Sequence, residues 1–130
     1  MPYLQPTGSI LLTPWARSPA ILETAGDAID QIILPSIYPS RQEDTRIDDY
    51  FRRYKNRFGY APHAMTIGIR QALELINQAF DKGYDTPEAV KSYLLSVREH
   101  QTSFGPIAFD RYGDVVGSFH FIRNLRLELQ

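Results

Sequence analysis

The chain holds few residues whose type and spacing could support catalysis or metal binding. Its histidines, His63, His100 and His120, lie far apart, and none belongs to a His-x-x-x-His pair. The absence of cysteine excludes a thiol nucleophile, a thiolate metal site and a disulfide. We find neither a Gly-x-Ser-x-Gly elbow in a strand-to-helix context nor a glycine-rich phosphate loop. The sequence therefore predicts a protein that is not an enzyme and that uses no metal or cofactor.

The charged residues are balanced in sign. The 130 residues include 14 Lys and Arg against 15 Asp and Glu, which gives a formal net charge of −1. A dedicated nucleic-acid or anionic-membrane surface needs a field of one sign, so we expect no nucleic-acid partner. Arg52, Arg53 and Lys55 form a basic cluster beside Asp48 and Asp49. We interpret this cluster as the solvated face of a helix, with phosphate binding as the weaker alternative.

Two short apolar runs predict the strands of a βαβ unit. Residues 9–13 and residues 29–34 are continuous apolar stretches that end before or near a proline, and we expect strands buried on both faces. Between them, Ser18 as the N-cap residue, followed by a proline, predicts a helix that stops at Gly26. A strand, a short helix and a strand should form a parallel, right-handed unit.

The rest of the chain predicts three further helices and a β-hairpin, which together with the βαβ unit give an α/β fold class. The helices are expected near residues 47–58, 62–82 and 87–97, because apolar residues recur there with a helical period. A polar loop at residues 98–103 should lead into a hairpin that reverses at residues 110–113. Leu125, Leu127 and Leu129 alternate with charged residues, which predicts a half-exposed C-terminal strand.

Five sequence motifs follow one another in an order typical of one protein family. They are the segment 15–26 with Ile32-Ile33, the helix motif formed by Asp49-Tyr50-Phe51, Tyr54 and Phe58-Gly59, the helix end at residues 78–83, the helix start at residues 86–90, and the hairpin motif at residues 104–110 with Gly113-Asp114. Together they resemble the C-terminal part of type I periplasmic solute-binding proteins, the branched-chain amino-acid receptors of ABC transporters and their relatives. The resemblance implies a partial type I periplasmic-binding-protein architecture, which is Rossmann-like.

The resemblance also implies how the chain is divided, because the family has two lobes with a ligand cleft between them. Residues 1–35 would form a partial βαβ unit of lobe two. Residues 36–117 would supply helices and a hairpin of lobe one, and residues 118–130 would return to lobe two as a strand. As it stands, the chain is expected to form one compact unit.

Ligand contacts in this family come from two places that match positions of this chain. Carried over by position, they are Trp15, Ala16 and Arg17 in the loop after the first strand, and Met65 near the start of the long helix. Such loops lie at the carboxyl ends of parallel strands, where open α/β sheets bind ligands. Trp15 would pack against an apolar or aromatic ligand, and Arg17 would pair with a carboxylate. The alternatives are that Trp15 is a packing anchor and that Arg17 is a solvent-facing charge.

The resemblance implies the solute-binding component, or a fragment of it, of an ABC-type uptake system for an amino acid or small organic solute such as a small carboxylate. Its partners would be that ligand and an ABC permease, and its location would be the periplasm. The alternative is a stand-alone truncated remnant that forms a homo-oligomer with no or altered ligand binding, since much of the lobe-one sheet is missing. A complete product with this N-terminus, which has no secretion-signal pattern, would be expected to stay in the cytoplasm. A small enzyme with its site across a dimer, built from His63 or His120 and an aspartate, is a third and weaker reading, because nothing activates a nucleophile.

Overall fold

The structure is a computed structural model that describes residues 8–129, and these residues form two compact units. Unit 1 contains residues 8–63 and 119–129, and unit 2 contains residues 64–118. The predicted α/β class is confirmed, whereas the expected division into lobe segments at residues 35/36 and 117/118 stays a prediction. The elements along the described chain are β1 (Ile10–Leu11), α1 (Ala20–Ala25), β2 (Ile32–Ser36), α2 (Thr45–Phe58), α3 (Met65–Asp81), α4 (Pro87–Ser96), β3 (His100–Thr102), β4 (Gly105–Phe109), β5 (Val115–Val116), β6 (His120–Ile122) and α5 (Leu125–Leu129), with 3₁₀ turns at Pro14–Ala16 and Gly26–Gln31.

The sheet of unit 1 has the strand order β1-β2-β6. β1 runs parallel to β2, with Ile10 opposite Ile32, as the βαβ prediction requires. β6 runs antiparallel to β2 on the other side, with Leu34 opposite Ile122. The parallel pairing of the two predicted strands is therefore confirmed, and residues 120–122 add a third strand to the same sheet.

One face of this sheet covers the hydrophobic core of unit 1, and the other face is largely bare. The opposite face, which we call the outer sheet face, carries Leu11, Ile33, Pro35 and Phe121, because side chains alternate along each strand. Leu11 and Phe121 are exposed there. The prediction that the first two strands are buried on both faces is therefore wrong for the described chain. The buried core residues on the inner side are Ile29, Ile32, Leu34, Ile122 and Leu125.

The boundaries of two elements in the βαβ unit differ from the predicted ones. Residues 29–31 belong to a 3₁₀ turn, and β2 continues through Pro35 to Ser36. Pro35 is tolerated because it lies beyond the residues that pair with β1, so its missing N–H removes no bond to that strand. Ser18 is not the side-chain cap of α1; instead its backbone carbonyl accepts a bond from the N–H of Ile21 at 3.1 Å. The predicted stop at Gly26, whose φ is 54°, is confirmed.

Helix α2 has the predicted extent and polarity. Its N-terminus is capped by the Asp44 carboxylate, which accepts a bond from the N–H of Arg46 at 2.9 Å. Its C-terminus ends at Gly59, which takes the left-handed conformation with φ of 82°. Arg52 and Arg53 form ion pairs with neighbouring aspartates on the exposed face, in agreement with the interpretation of a solvated helix face.

Unit 2 consists of α3, α4 and the sheet β3-β4-β5. The cap of α4 is as predicted, with the Thr86 hydroxyl accepting a bond from the N–H of Ala89 at 3.2 Å. The polar loop predicted at residues 98–103 is wrong, because His100–Thr102 form strand β3. Its inward residue is His100, whose Nε2 donates to the Leu94 carbonyl at 2.9 Å. A strand with a histidine as its buried residue has no apolar alternation to reveal it.

The predicted hairpin reversal is confirmed, and the predicted C-terminal strand is wrong. The Asp110 carboxylate accepts bonds from the N–H groups of Tyr112 and Asp114, at 2.8 and 3.0 Å, and Gly113 has a φ of 91°. Residues 125–129 form the short helix α5. Leu125 and Glu128, three residues apart, turn inward on it, whereas Leu127 is exposed.

Helix α3 has two apolar faces. The inner face includes Ile67, Leu75 and Ala79 and is buried in unit 2. A second face, which we call the α3 outer stripe, is exposed along the whole helix. Its members are Met65, Ile69, Leu73, Ile76 and Phe80, at helical spacings of three and four residues. Within the described residues, no helix combines the length and apolarity needed to cross a membrane.

Candidate functional site

The turn after β1 brings together three of the four residues predicted to bind ligand. Trp15 and Ala16 lie in the 3₁₀ turn, and Arg17 closes it by donating its N–H to the Pro14 carbonyl at 3.2 Å. The turn stands at the carboxyl end of β1, where the family resemblance placed the binding loop. Met65 is the first residue of α3 in unit 2.

The side chains of this turn differ sharply in exposure. Trp15 is 77% exposed, so its ring is open to solvent rather than used as a packing anchor. Ala16 packs against the core of unit 1. Arg17 is only 6% exposed, which rules out the alternative of a solvent-facing charge. Met65 is 56% exposed.

The guanidinium of Arg17 is held by groups from three other elements. Its Nη2 donates to Oε1 of Glu128 on α5, forming a buried ion pair. Its Nη1 lies 3.5 Å from the hydroxyl of Ser36 at the end of β2. Its Cζ lies 5.8 Å from the ring centre of Phe51 on α2, within cation–π distance. Arg17 is therefore a fixed, internally paired charge.

Glu128 is fully buried and receives two hydrogen bonds from different parts of unit 1. Oε1 accepts from Arg17, and Oε2 accepts from the backbone N–H of Arg41 at 3.0 Å. Burial raises the pKa of Glu128, while the positive charge of Arg17 and the Arg41 N–H act in the opposite direction. Burial likewise lowers the pKa of Arg17, and the Glu128 charge opposes that shift. Guanidiniums stay charged in proteins, so we treat Arg17 and Glu128 as an ion pair.

The side chain of Arg41 extends the cluster toward the surface. Its guanidinium contacts Asp48 at 2.9 Å, and its Cζ lies 5.2 Å from the ring centre of Phe51. The ring of Phe51 therefore lies against both guanidiniums and forms the apolar side of this group of residues. We call Arg17, Ser36, Arg41, Phe51 and Glu128 the carboxylate cluster.

Sequence reasoning identified one polar member of the carboxylate cluster, Arg17, and missed the others. Glu128 was missed because the sequence predicts a strand over residues 125–129, in which Leu125 and Glu128 face opposite sides. A helical reading, with the pair three residues apart, would have placed this carboxylate on the buried face. The N–H of Arg41 carries no sequence signal, since any residue except proline offers one.

The chemistry that the carboxylate cluster offers is recognition of a carboxylate. A guanidinium and a backbone N–H are the donors that bind carboxylates in proteins. Among the described residues, no group of three or more His, Asp and Glu side chains could hold a metal ion. His120 lies in β6, and His63 ends the first segment of unit 1.

Comparison with known proteins gives structural neighbours of one kind. Neither a protein-family model nor a curated protein sequence matches the chain. Among solved structures it is similar to the leucine-binding protein LivK from Thermotoga maritima, with a TM-score of 0.70 and 21% identity over 92% of this chain and 35% of that one. It is also similar to a candidate branched-chain amino acid ABC transporter from Rhodospirillum rubrum, with a TM-score of 0.59 and 16% identity over 90% of this chain and 35% of that one.

These neighbours confirm the resemblance found in the sequence, at the level of fold. The chain has the architecture of part of a type I periplasmic binding protein and spans 35% of the length of each neighbour. Both neighbours are described by amino-acid binding or transport, and neither by a reaction. At these identities the likeness shows the fold of this part of the chain.

Proposed function

We propose that this chain is part of the solute-binding component of an ABC-type uptake system that takes an amino acid or a small organic acid. One observation carries the proposal: the turn at the carboxyl end of β1 places an exposed tryptophan beside a buried arginine that binds a carboxylate, here that of Glu128. An apolar ring and a guanidinium are what a ligand with an apolar side chain and a carboxylate requires. The similarity in fold to a leucine-binding protein supports the same class of ligand.

Each residue of the candidate site has a distinct role in this proposal. Trp15 would cover the apolar part of the ligand, and the backbone at Ala16 would approach it closely. Arg17 would bind the ligand carboxylate, which must then replace Glu128 as its partner. Met65, the first residue of α3 in unit 2, stays a ligand contact that is expected only from its position in the family motif.

The partner and the location in this proposal are those of a protein that takes part in transport. The protein would work with an ABC permease, in the periplasm, and would transform no substrate. The balanced charge gives no reason to expect a nucleic acid as partner.

The intrinsic fluorescence of the chain offers a direct test, because Trp15 is its single tryptophan. Leucine, isoleucine, valine and small carboxylates should each be titrated while the emission of Trp15 and the melting temperature are followed. A ligand at about 100 times its Kd should add about 2.7 kcal/mol to the free energy of unfolding. If no solute changes either signal, the proposal is rejected.

A matched pair of variants on α3 makes this test specific. Met65 and Leu73 are 56% and 57% exposed, so truncation to alanine should affect folding similarly. Met65→Ala should weaken the affinity of any solute that shifts Trp15, whereas Leu73→Ala should leave it unchanged. Equal effects of the two variants would remove Met65 from the site.

The second candidate function is a stand-alone remnant that forms a homo-oligomer, and the α3 outer stripe favours it. The spacing of Met65, Ile69, Leu73, Ile76 and Phe80 is close to symmetric about Leu73. A stripe of that kind can pack antiparallel against a second copy of itself, as two-fold symmetry requires. Sedimentation across a range of concentrations would test this, with Leu73→Glu expected to abolish association. A wild-type chain that stays monomeric at all concentrations would exclude this function.

A further inference from the structure

We propose that the carboxylate cluster is a binding site for a small free carboxylate, and that Glu128 occupies it as an intramolecular substitute. The site would be available when α5 withdraws Glu128. This inference rests on the proposed function and deepens it, because it names the chemical group that Arg17 recognises and the residue with which a ligand must compete.

The first support is that the donors of the site converge on one carboxylate from separate elements. Oε1 of Glu128 accepts a hydrogen bond from Arg17 in the turn after β1. Oε2 accepts a hydrogen bond of 3.0 Å from the backbone N–H of Arg41, a residue that lies just before α2. One guanidinium donor and one backbone donor, one for each oxygen, are the arrangement expected for a bound carboxylate ligand.

The second support is that groups outside α5 also position the site. Ser36 Oγ lies 3.5 Å from Nη1 of Arg17, and the same hydroxyl accepts the N–H of Tyr38 at 3.1 Å, which fixes its place at the end of β2. Phe51 on α2 lies under Arg17 and Arg41. These groups belong to the sheet, the turn and α2, and not to α5.

The third support is the charge balance of the cluster. The Arg41 guanidinium is neutralised by Asp48 at 2.9 Å. Glu128 is the carboxylate that pairs with Arg17 in the described part of the chain. Loss of Glu128 alone would leave a buried cation without a counter-charge, and a buried ion without its partner is strongly unfavourable. The vacated space would therefore select an anion, and the size of the lost group corresponds to acetate or propionate.

The element that carries Glu128 is small enough to release it. α5 has five residues. Besides the two bonds of Glu128, it is held by Leu125 and Leu129, which pack in the core of unit 1, and by Arg126, which contacts Asp30 at 3.1 Å and the Gly26 carbonyl at 3.4 Å. Exposed ion pairs contribute little. A ligand that offers its own carboxylate to Arg17 would have to displace Glu128, which this single five-residue helix carries.

Chemical rescue tests the proposal on the full chain. Glu128→Ala should lower the melting temperature strongly in sodium chloride, and sodium acetate or propionate at equal ionic strength should raise it again by several degrees. Acetamide, which is neutral and of similar shape, should give no rescue. The double variant Arg17→Met/Glu128→Ala should not respond to acetate, because it lacks the guanidinium.

A control variant in the same region guards against general salt effects. Glu43→Ala also removes a carboxylate that accepts a backbone N–H, from Ser40 at 2.9 Å. Within residues 8–129, however, Glu43 has no guanidinium partner. Acetate should leave its melting temperature unchanged. Rescue of Glu43→Ala to the same degree as Glu128→Ala, or rescue of the double variant, would overturn the proposal.

The test stays decisive if Glu128→Ala is unfolded in chloride. In that case propionate must restore the helical circular dichroism signal, and a failure to restore it overturns the proposal. The result is also separable from that of the proposed function. Rescue without any amino-acid effect on wild-type Trp15 would establish the carboxylate site and reject the amino-acid ligand, whereas an amino-acid effect without rescue would reject Glu128 as a substitute and keep the solute-binding role.

Discussion

The C-terminal residues offer a sharp test of the structure, because two leucines separated by one residue have opposite surroundings. Leu125 is 1% exposed in the core of unit 1, and Leu127 is 54% exposed on the other side of α5. In the strand predicted from the sequence, both leucines would face the same side, since alternate residues share a face. The same substitution at the two positions therefore distinguishes helix from strand.

The expected magnitudes follow from burial. Leu125→Ala removes a buried side chain and leaves a cavity, so it should lower the free energy of unfolding by about 2–5 kcal/mol. Full burial of a leucine contributes about 1.5–3 kcal/mol, and Leu127 has less than half of its surface buried. Leu127→Ala should therefore lower the free energy of unfolding by about 1 kcal/mol or less.

Urea unfolding followed by circular dichroism measures both values on the full chain. The slope of free energy against urea should be unchanged in both variants, so that a shift in midpoint reports stability alone. Equal losses at the two positions would refute the helical assignment of residues 125–129. They would also remove the geometric basis for placing Glu128 beside Arg17, because that carboxylate faces inward only on a helix.

Three further predictions concern single interactions. Gly113→Ala should lower the free energy of unfolding by about 1–2 kcal/mol, because alanine is strained at a φ of 91°. Gly117 has no such φ, so Gly117→Ala should change the free energy of unfolding little. Urea unfolding of both variants measures the difference. Thr86→Ala should cost about 1 kcal/mol through loss of the helix cap, and Thr86→Ser should restore it. Partial burial acts to raise the pKa of Glu74, but hydrogen bonds from Ser103 and the Arg70 pair hold that pKa below its usual value. The stabilisation by Glu74 is therefore present above its unfolded pKa of about 4.3 and disappears as pH falls through the folded pKa, so melting curves of wild type and Glu74→Gln should converge in acid.

Most of the fold could be predicted because local signals and tertiary structure agree. Helix α2 has a strong apolar period, an acidic cap and a terminal glycine, and its bounds were found nearly to the residue. The hairpin was found because Asp110 and Gly113 perform specific tasks in its turn. In both cases the causes lie within a few residues of the element, where a sequence displays them.

The errors arose where tertiary contacts decide the local structure. Strand β3 depends on His100 being buried against Tyr93, with ring centres 5.2 Å apart, and a buried histidine looks polar in the sequence. Helix α5 depends on the pairing of Glu128 with Arg17, which lies 111 positions away. Alternating leucines and charges fit a strand equally well when that partner is unknown.

The candidate site shows the same limit. Trp15, Ala16 and Arg17 were assigned from family motifs, and the structure places them in one turn at the end of β1. The carboxylate that holds Arg17 and the N–H that helps to bind it come from distant segments without a motif. These two partners could not be predicted from the sequence, because only the fold brings them to one point.

The exposed outer sheet face affects how long the polypeptide survives in a cell after synthesis. Leu11 and Phe121 stand exposed on strands at the two edges of a three-stranded sheet in the described chain, and such surfaces attract holdase chaperones and other nascent chains. A cell would keep the polypeptide only as long as something shields that side faster than quality-control proteases remove it. The amount of this polypeptide in the cell would then depend on the supply of whatever covers the outer sheet face, and not on its own rate of translation.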